Sequence, residues 1–568
     1  MKDLKSFLIL PITALSLMAS LLSSDSPTDI LKRGYTQLTD GVYISKLPGF
    51  YSTGQSVSFI IDKNLELYYS LDYQNNDISK MALYKEPILI NKSESRNKAD
   101  FPITTSVDAI LPDDKEGKCV SEAYINNIQK TENYILFDKQ PVLKINVVNK
   151  NNKETVFKRS FTYLFEDKIT KDINIPVVSL SMPYDDIMGS NGFYNKIRED
   201  ISRRADLEFF DPEYNEYFYR NTQIKLGGNW TLGYPQRTFN LNFNKDENGK
   251  KNDKVKEHVF KEREQRGDKT KRLTKLSRFR LHNGGNAFES STRINDAILQ
   301  SIMKDSNAST TGYRPSIVYI NGEYWGLMSI REHYKDVYFS DNYGIDKDNV
   351  ITYDLKGDWS INDGDETIGQ KKLKEMNDYL LSHDFTNEEN YQAFLNQYLD
   401  IDSFIDVVLA HAYAGNWDFI GNFNNLKMWT VMQSNPNNKY EDGKFRFVIH
   451  DADFAFTDYQ NPLYPYHANA YTKFPLMNKL MSNSSFRTRL YERSEELVND
   501  ILSTYHCIDT MNEMIDEVRH YHNYSALRWG QKEKDLNSWN NDINNIFTFF
   551  QRRSKNFVNE IHNILCMY

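Results

Sequence analysis

Between residues 42 and 165 the apolar positions come in short runs: VYISKL, SVSFIID, LELYYSLD, PILIN, VLKINVVN and FKRSFTYLF. Polar, Gly, Asn and Asp clusters separate them. Alternation such as Leu143, Ile145 and Val147 against Lys144 and Asn146 predicts strands, and six of them in series predict a small all-β sandwich over 42–165. From Ile175 the runs change to IPVVSLSM, NTQIKLGG, RTFNLNF, SRFRLHN, SIVYIN and YWGLMSIRE, again strand-like. Among them, Ile294, Ile298 and Met303 near helical spacing predict a helix over 288–304. After about residue 370 the period becomes helical. IDSFIDVVLAHAYAG puts Phe404, Val408 and Ala412 four apart, with Asp402 read as the cap. The stretch that begins FPLMNKLM and residues 539–565 are further helices, and KFRFVIHDADFAF is a β excursion between them. A β-rich part over 175–370 followed by an α-rich part over 371–568 predicts an α+β body of two lobes with a cleft between them.

The first 24 residues alter the compartment expected. Lys2 and Lys5 precede the apolar run FLILPITALSLMASLL, and Ser23 and Ser24 follow it. That order predicts a signal peptide over 1–24 and a secreted or cell-surface protein. No later stretch has the roughly 20 apolar residues of a transmembrane helix. With 69 Lys and Arg against 78 Asp and Glu, the net charge is −9, which argues against a nucleic-acid partner. Residues 245–275 hold 12 Lys or Arg against 7 Asp or Glu. Because the signs alternate, this reads as a solvated hairpin tip, not a phosphate or nucleic-acid patch. Cys119, Cys507 and Cys566 are too few for a disulfide scaffold, although a Cys507–Cys566 bridge is compatible with an oxidising compartment. His520 and His522, two apart on a helix, read as surface residues.

Four segments carry candidate chemistry. In KLGGNWTLGYPQRTFNLNF, Gly227, Gly228 and Gly233 form a turn whose amides can approach phosphate, and Arg237 begins the next strand. By itself this is also a plain glycine-bearing hairpin. RFRLHNGGNAFESSTRINDAILQS places Arg280 on a strand and then a glycine turn, with Arg293 and Asp296 on the following helix, an arrangement that offers N–H groups to an anion. In VYINGEYWGLMSIREH, Asn321-Gly322 predicts a tight hairpin, Glu323 reads as a surface turn residue, and Glu332 is expected to face the cleft. The sharpest pair is GNWDFIGNFNNLKMW with FRFVIHDADFAF. Asp418 follows a helix with Asn422, Asn424 and Asn425 behind it, and Asp451 and Asp453 end an apolar strand. Phosphoryl transfer needs a carboxylate to take a hydroxyl proton and hard oxygen ligands for a divalent cation, and an Asp with a downstream Asn followed by a strand-borne Asp next to Phe is the kinase-like order of those parts.

Six segments in order, IPVVSL, IKLGGNWTLGYPQRTFNLNF, FRLHNGGN with STRINDAILQS, VYINGEYWGLMSIREH, NWDFIGNFNNLKMW and FRFVIHDADFAF, resemble the spore-coat CotH-type protein kinases, which are secreted atypical kinases. The resemblance covers about 175–455. It implies a two-lobe atypical-kinase-like fold, ATP with Mg²⁺ or Mn²⁺, and transfer of the γ-phosphate to Ser or Thr of exported proteins. By matching positions it makes Asp418 the catalytic Asp, and Asp451 or Asp453 the metal ligand together with Asn424 and Asn425. Gly227, Gly228, Gly233, Arg237, Arg280 and Glu332 are then the nucleotide contacts. Three departures bear on this: GNF is interposed before the Asn pair, Arg237 stands where the family often has Lys, and Ala287 where it often has Asp. Upstream, YYSLD followed by YKEPILI is similar to the β-sandwich repeat at the ends of chitobiase-type enzymes, which implies an accessory module and a glycan contact. An alternative is a catalytically inactive kinase-like surface adhesin or carbohydrate-associated structural protein. A two-carboxylate glycosidase lacks a recognisable acid and nucleophile pair.

Overall fold

The computed structural model describes residues 26–72, 77–92, 139–194, 196, 199–246, 248–261, 263–287, 292–356, 358–419, 425–456, 475–529 and 536–568. The expected signal peptide, Cys119 and Asn424 lie outside these residues. The fold mixes helices and sheets behind an all-β N-terminal region. That region contains β1 (Thr36–Thr39), β2 (Val42–Ile44), β3 (Gly49–Tyr51), β4 (Gln55–Val57), β5 (Phe59–Ile61), β6 (Leu65–Ser70), β7 (Ala82–Leu83), β8 (Ile88–Ile90), β9 (Val142–Asn149) and β10 (Thr155–Phe165). Its main sheet runs β3-β10-β9-β6-β7. Leu143, Ile145 and Val147 do share one core, with Val42, Leu67, Phe161 and Tyr163. All six sequence-predicted strands occur.

The next seven strands close into a barrel: β11 (Val177–Ser181), β12 (Ser202–Asp211), β13 (Glu216–Gly227), β14 (Thr238–Asn242), β15 (Arg278–His282), β16 (Tyr313–Ile320) and β17 (Glu323–Arg331). The order is β11-β12-β13-β14-β15-β17-β16, and a parallel β16–β11 pairing closes the ring. Closure leaves no open edge. The period of two then assigns faces. Val178, Leu180, Phe209, Phe239, Phe279, Leu281, Val318 and Ile330 gather in one core, which Trp529 from the far end of the chain joins. The alternate residues Val177, Phe210, Ile317 and Tyr319 belong instead to a core shared with the helices. The predicted Asn321-Gly322 hairpin is present, with φ of 51° and 78°.

The helical part comprises α1 (Asn295–Ile302), α2 (Asp336–Tyr343), α3 (Glu366–Ser382), α4 (Glu388–Gln397), α5 (Ile401–Ala414), α6 (Pro475–Met481), α7 (Ser484–Asn499), α8 (Thr504–Arg528) and α9 (Leu536–Leu565). An antiparallel sheet, β19-β18-β20-β21, is inserted among them: β18 (Val350–Lys356), β19 (Asp358–Asp363), β20 (Leu426–Val431) and β21 (Arg446–Val448). It pairs strands from both sides of residue 370.

Several expectations change. Asp400, not Asp402, caps α5 by accepting the Ser403 N–H at 3.0 Å. The helix expected from 288 begins at Asn295 among the described residues. Cys507 and Cys566 are both free, the first buried and the second exposed, so no bridge joins them. His522 is not a surface residue: it is buried and stacked on Trp539 at 4.5 Å, whereas His520 is exposed. Glu323 is buried and paired with Arg528 at 3.0 Å. The 245–275 excursion does join two paired strands, but it is no solvated tip. Val255, Val259, Phe260 and Leu273 enter the barrel core, because its charges alternate with apolar residues that the barrel covers.

Candidate active site

A cavity of about 540 Å³ lies against the barrel where Thr238, Arg280, His282 and Arg331 point outward, each alternating with an inward-facing core residue. Its other walls include Asp296 and Gln300 of α1, Asp354 of β18, Lys427 of β20, and the loop residues Asp418, Asn425, His450, Asp451 and Asp453. The Thr238–His282 hairpin, α1 and the loops after α5 and β21 thus converge, although they are far apart in sequence.

The acidic end is tightly specified. The Asn286 N–H donates to Asp453 Oδ2 at 2.8 Å. Gly285, at φ 58°, allows this approach, since a Cβ there would sit 1.7 Å from that oxygen. Asn295 Nδ2, at the start of α1, donates to Ala455 O at 2.9 Å and to Asp453 O at 3.3 Å, fixing the segment. Asn416 Nδ2 holds Asp451 O at 3.2 Å, and Asp451 itself adopts a positive φ of 56°. Burial pushes the Asp451 carboxyl up to about 6, with the Asp296 and Asp418 charges adding to the rise. Burial and the neighbouring Asp451 push Asp453 well above the usual carboxylate range. Asp296 behaves differently. Burial raises it, but Arg331 at 2.9 Å, Gln300 and the Ala452 N–H outweigh burial and hold it low.

The basic side is built from strand residues. Arg280 Nε donates to Asn240 Oδ1 at 2.9 Å, and burial lowers its guanidinium to about 10. Lys427 pairs with Asp354. Burial, then Arg280, hold His282 down at about 3, so it is neutral at physiological pH. At the mouth, Asn425 Nδ2 donates to Asp418 Oδ2 at 3.0 Å and to Asp418 O at 2.9 Å. The interposed GNF therefore does not separate Asn425 from Asp418.

The sequence-predicted residues divide. Gly228, Arg280, Glu332, Asp418, Asn425, Asp451 and Asp453 line one cavity. Glu332 is anchored there by Arg263 at 2.7 Å and by the Gly312 N–H. Gly227 and Gly233 do not line it. Gly227 gives room to Arg280, whose Nη2 would stand 3.0 Å from a Cβ, and Gly233 ends a 3₁₀ turn. The phosphate role expected of Arg237 is corrected. Its side chain is fully buried, outside the cavity, and Nε and Nη1 donate to Tyr234 O and Tyr194 O. It staples the turn that carries Gly228. Asp354, Arg331, Lys427 and His450 had drawn no attention in the sequence. Arg331, Lys427 and His450 lie within the quoted motifs, but their orientation toward the cavity comes from β17, β20 and the loop after β21.

A model of the family described as CotH kinase protein matches residues 224–557, more than half of the chain. The chain belongs to the CotH kinase family. Among curated proteins it has no significant match. The matched span takes in every cavity residue named above, and the family implies a kinase-type enzyme that uses ATP with a divalent metal and a protein substrate. The donors fit such a metal: oxygen ligands suit Mg²⁺ or Mn²⁺, and two buried carboxylates that burial holds high, despite Lys427 and Arg280 nearby, would be favoured in their charged form by a cation. Among the described residues no group of three or more His, Cys, Asp or Glu could hold a metal unaided. Mg²⁺ commonly takes one or two carboxylates and completes its shell with phosphates and water.

Proposed function

We propose that this CotH-family kinase is exported and transfers the γ-phosphate of ATP to Ser or Thr hydroxyls of exported or cell-surface proteins. The observation that carries the reading is the meeting of Asp418 with the Asp451–Asp453 pair and the cations Arg280 and Lys427 around one cavity. Asp451 and Asp453 would hold the divalent cation, with the Asn425 amide oxygen beside them. A cation held by these residues would supply charge neutralisation for the transferred phosphoryl group. Arg280 and the amides of the Gly228 turn receive phosphate oxygens, and Arg331 keeps Asp296 ionised behind the carboxylate pair. Asp418, oriented by Asn425, accepts the acceptor hydroxyl proton on its carboxylate. The β-rich barrel and the α-rich remainder act as the two lobes of an atypical kinase, and the N-terminal sandwich is an accessory module.

The test is incubation of the full-length protein with labelled ATP and Mg²⁺ or Mn²⁺, alone and with Ser/Thr-bearing exported proteins. Metal-dependent label on protein supports the reading. Neither label nor metal-dependent nucleotide binding would support the alternative of a non-catalytic adhesin or carbohydrate-associated protein.

A further inference from the structure

Helix α5 ends beside the cavity, and its last turn is held from outside. Arg553 of α9 donates to the carbonyls of Tyr413 at 2.8 Å and Ala412 at 2.7 Å, and Gly415 closes the helix at a φ of 63°. Apart from Asp402, the helix is buried from Ile401 to Ala414.

One imidazole on this packed element reaches both sides of Asp418. His411 is fully buried, and its Nδ1 lies 2.9 Å from Asn416 Nδ2. Its ring stacks on Phe419 with centroids 3.9 Å apart and planes at 9°. Asn416 and Phe419 are both buried, and between them lie Trp417 and Asp418, each at least partly exposed. The Asn416 amide has a second contact, because the same Nδ2 donates to Asp451 O at 3.2 Å. A backbone carbonyl only accepts, so turning the amide over would set oxygen against oxygen. His411 Nδ1 is therefore also an acceptor, and the imidazole proton sits on Nε2.

The metal side is anchored by other groups. Asn295 holds the Asp453 and Ala455 carbonyls, the Ala452 N–H donates to Asp296 at 3.1 Å, and the Phe456 N–H donates to Ala414 O at 2.9 Å. These ties persist without Asn416. Loss of the His411–Asn416 contacts would thus shift the segment that carries Asp418, not the one that carries Asp451 and Asp453.

We infer that His411, as its Nε2–H tautomer, and Asn416 are positioning residues that set the Asp418 carboxylate against the Asp451–Asp453 pair, an assignment that rests on Asp418 being the proton acceptor of a kinase. Neither residue lines the cavity, so both act through Asp418.

His411→Phe keeps a flat ring on Phe419 but removes the acceptor for Asn416. Asn416→Leu removes both amide contacts while filling similar space. Transfer from labelled ATP with Mn²⁺, Mn²⁺–ATP affinity by calorimetry and a thermal melt are measured on each full-length variant, with Asp418 intact and in an Asp418→Asn background. With Asp418 intact, kcat of the folded protein should fall about 10²-fold, as for a misplacement of about 1 Å, while KM for ATP and Mn²⁺–ATP affinity stay within about twofold. In the Asp418→Asn background the same substitutions should change the residual rate by less than about threefold, because the group they position is gone. An unchanged kcat beside a lowered melt, or an equal loss in both backgrounds, overturns the inference alone. Absence of transfer by the wild type, or normal transfer by Asp418→Asn, overturns the kinase assignment and the inference with it.

Discussion

Gly285→Ala tests whether Asp453 holds the divalent cation. An added Cβ would stand 1.7 Å from Asp453 Oδ2 and 2.4 Å from its Cγ, where ordinary contact begins near 3.4 Å. The carboxylate therefore retreats by about 1.7 Å and loses the 2.8 Å bond from the Asn286 N–H. A displacement of about 1 Å at a reacting centre costs on the order of 10²-fold, so the rate of phosphoryl transfer should fall at least 10²-fold, or about 2.7 kcal/mol. Backbone strain contributes separately, because Ala at φ 58° costs about 1–2 kcal/mol of stability. Gly344→Ala isolates that second effect. Gly344 has a φ of 67° at the end of α2, and its Cβ would meet nothing within 4 Å. Transfer from labelled ATP, Mn²⁺–nucleotide affinity and a thermal melt are measured on both variants. Both should melt lower, and only Gly285→Ala should lose nucleotide affinity and rate. Equal affinity and rate in the two variants would refute the placing of the metal at Asp453.

Asp418→Asn should lower transfer by about 10²–10⁴-fold, while its melt stays within about 2 °C because an amide oxygen can still accept from Asn425 Nδ2. A normal rate would remove Asp418 from the mechanism. Arg237→Met strands the Tyr194 and Tyr234 carbonyls and should cost about 2–4 kcal/mol by chemical denaturation, with nucleotide affinity of the folded fraction unchanged. A selective loss of nucleotide affinity would return Arg237 to the site. Where the N-terminal β region meets the barrel, burial pushes Glu208 up to about 7, although Thr162 N–H and the Tyr217 hydroxyl donate to it. A carboxyl raised on folding stabilises the protein below its unfolded pKa, and that stability is lost as pH rises through the folded value. Between about pH 4.5 and 7 Glu208 should therefore remove up to about 3 kcal/mol, and Glu208→Gln should flatten the melting profile over that window. An unchanged slope would assign the effect elsewhere.

Local rules made much of the molecule legible in the sequence. Period-two runs located the strands of the N-terminal β region and those of the barrel, Asn321-Gly322 marked its hairpin, and Asp418, Asp451 and Asp453 stood out because carboxylates at the ends of apolar elements need a reason. Those features depend on a few neighbouring residues. Barrel closure does not: it rests on β16 returning to pair with β11, about 140 residues away. Closure decides which side of each strand is outside, and so places Arg280, His282 and Arg331 in the cavity with Lys427 and Asp354 from another sheet. It also decides burial. Arg237, Glu323 and His522 are polar and read as exposed or ligand-facing, yet each lies in the interior because a distant element supplies its partner: Tyr194, Arg528 and Trp539 respectively. The charge run at 245–275 shows the same limit. Composition records how many charges it carries, but only the barrel core that swallows Val255 and Phe260 places Arg263 and Arg266 against the body of the protein while Arg272 stays exposed. Side-chain chemistry is written residue by residue, whereas burial and the direction a side chain faces depend on contacts between residues far apart in the chain.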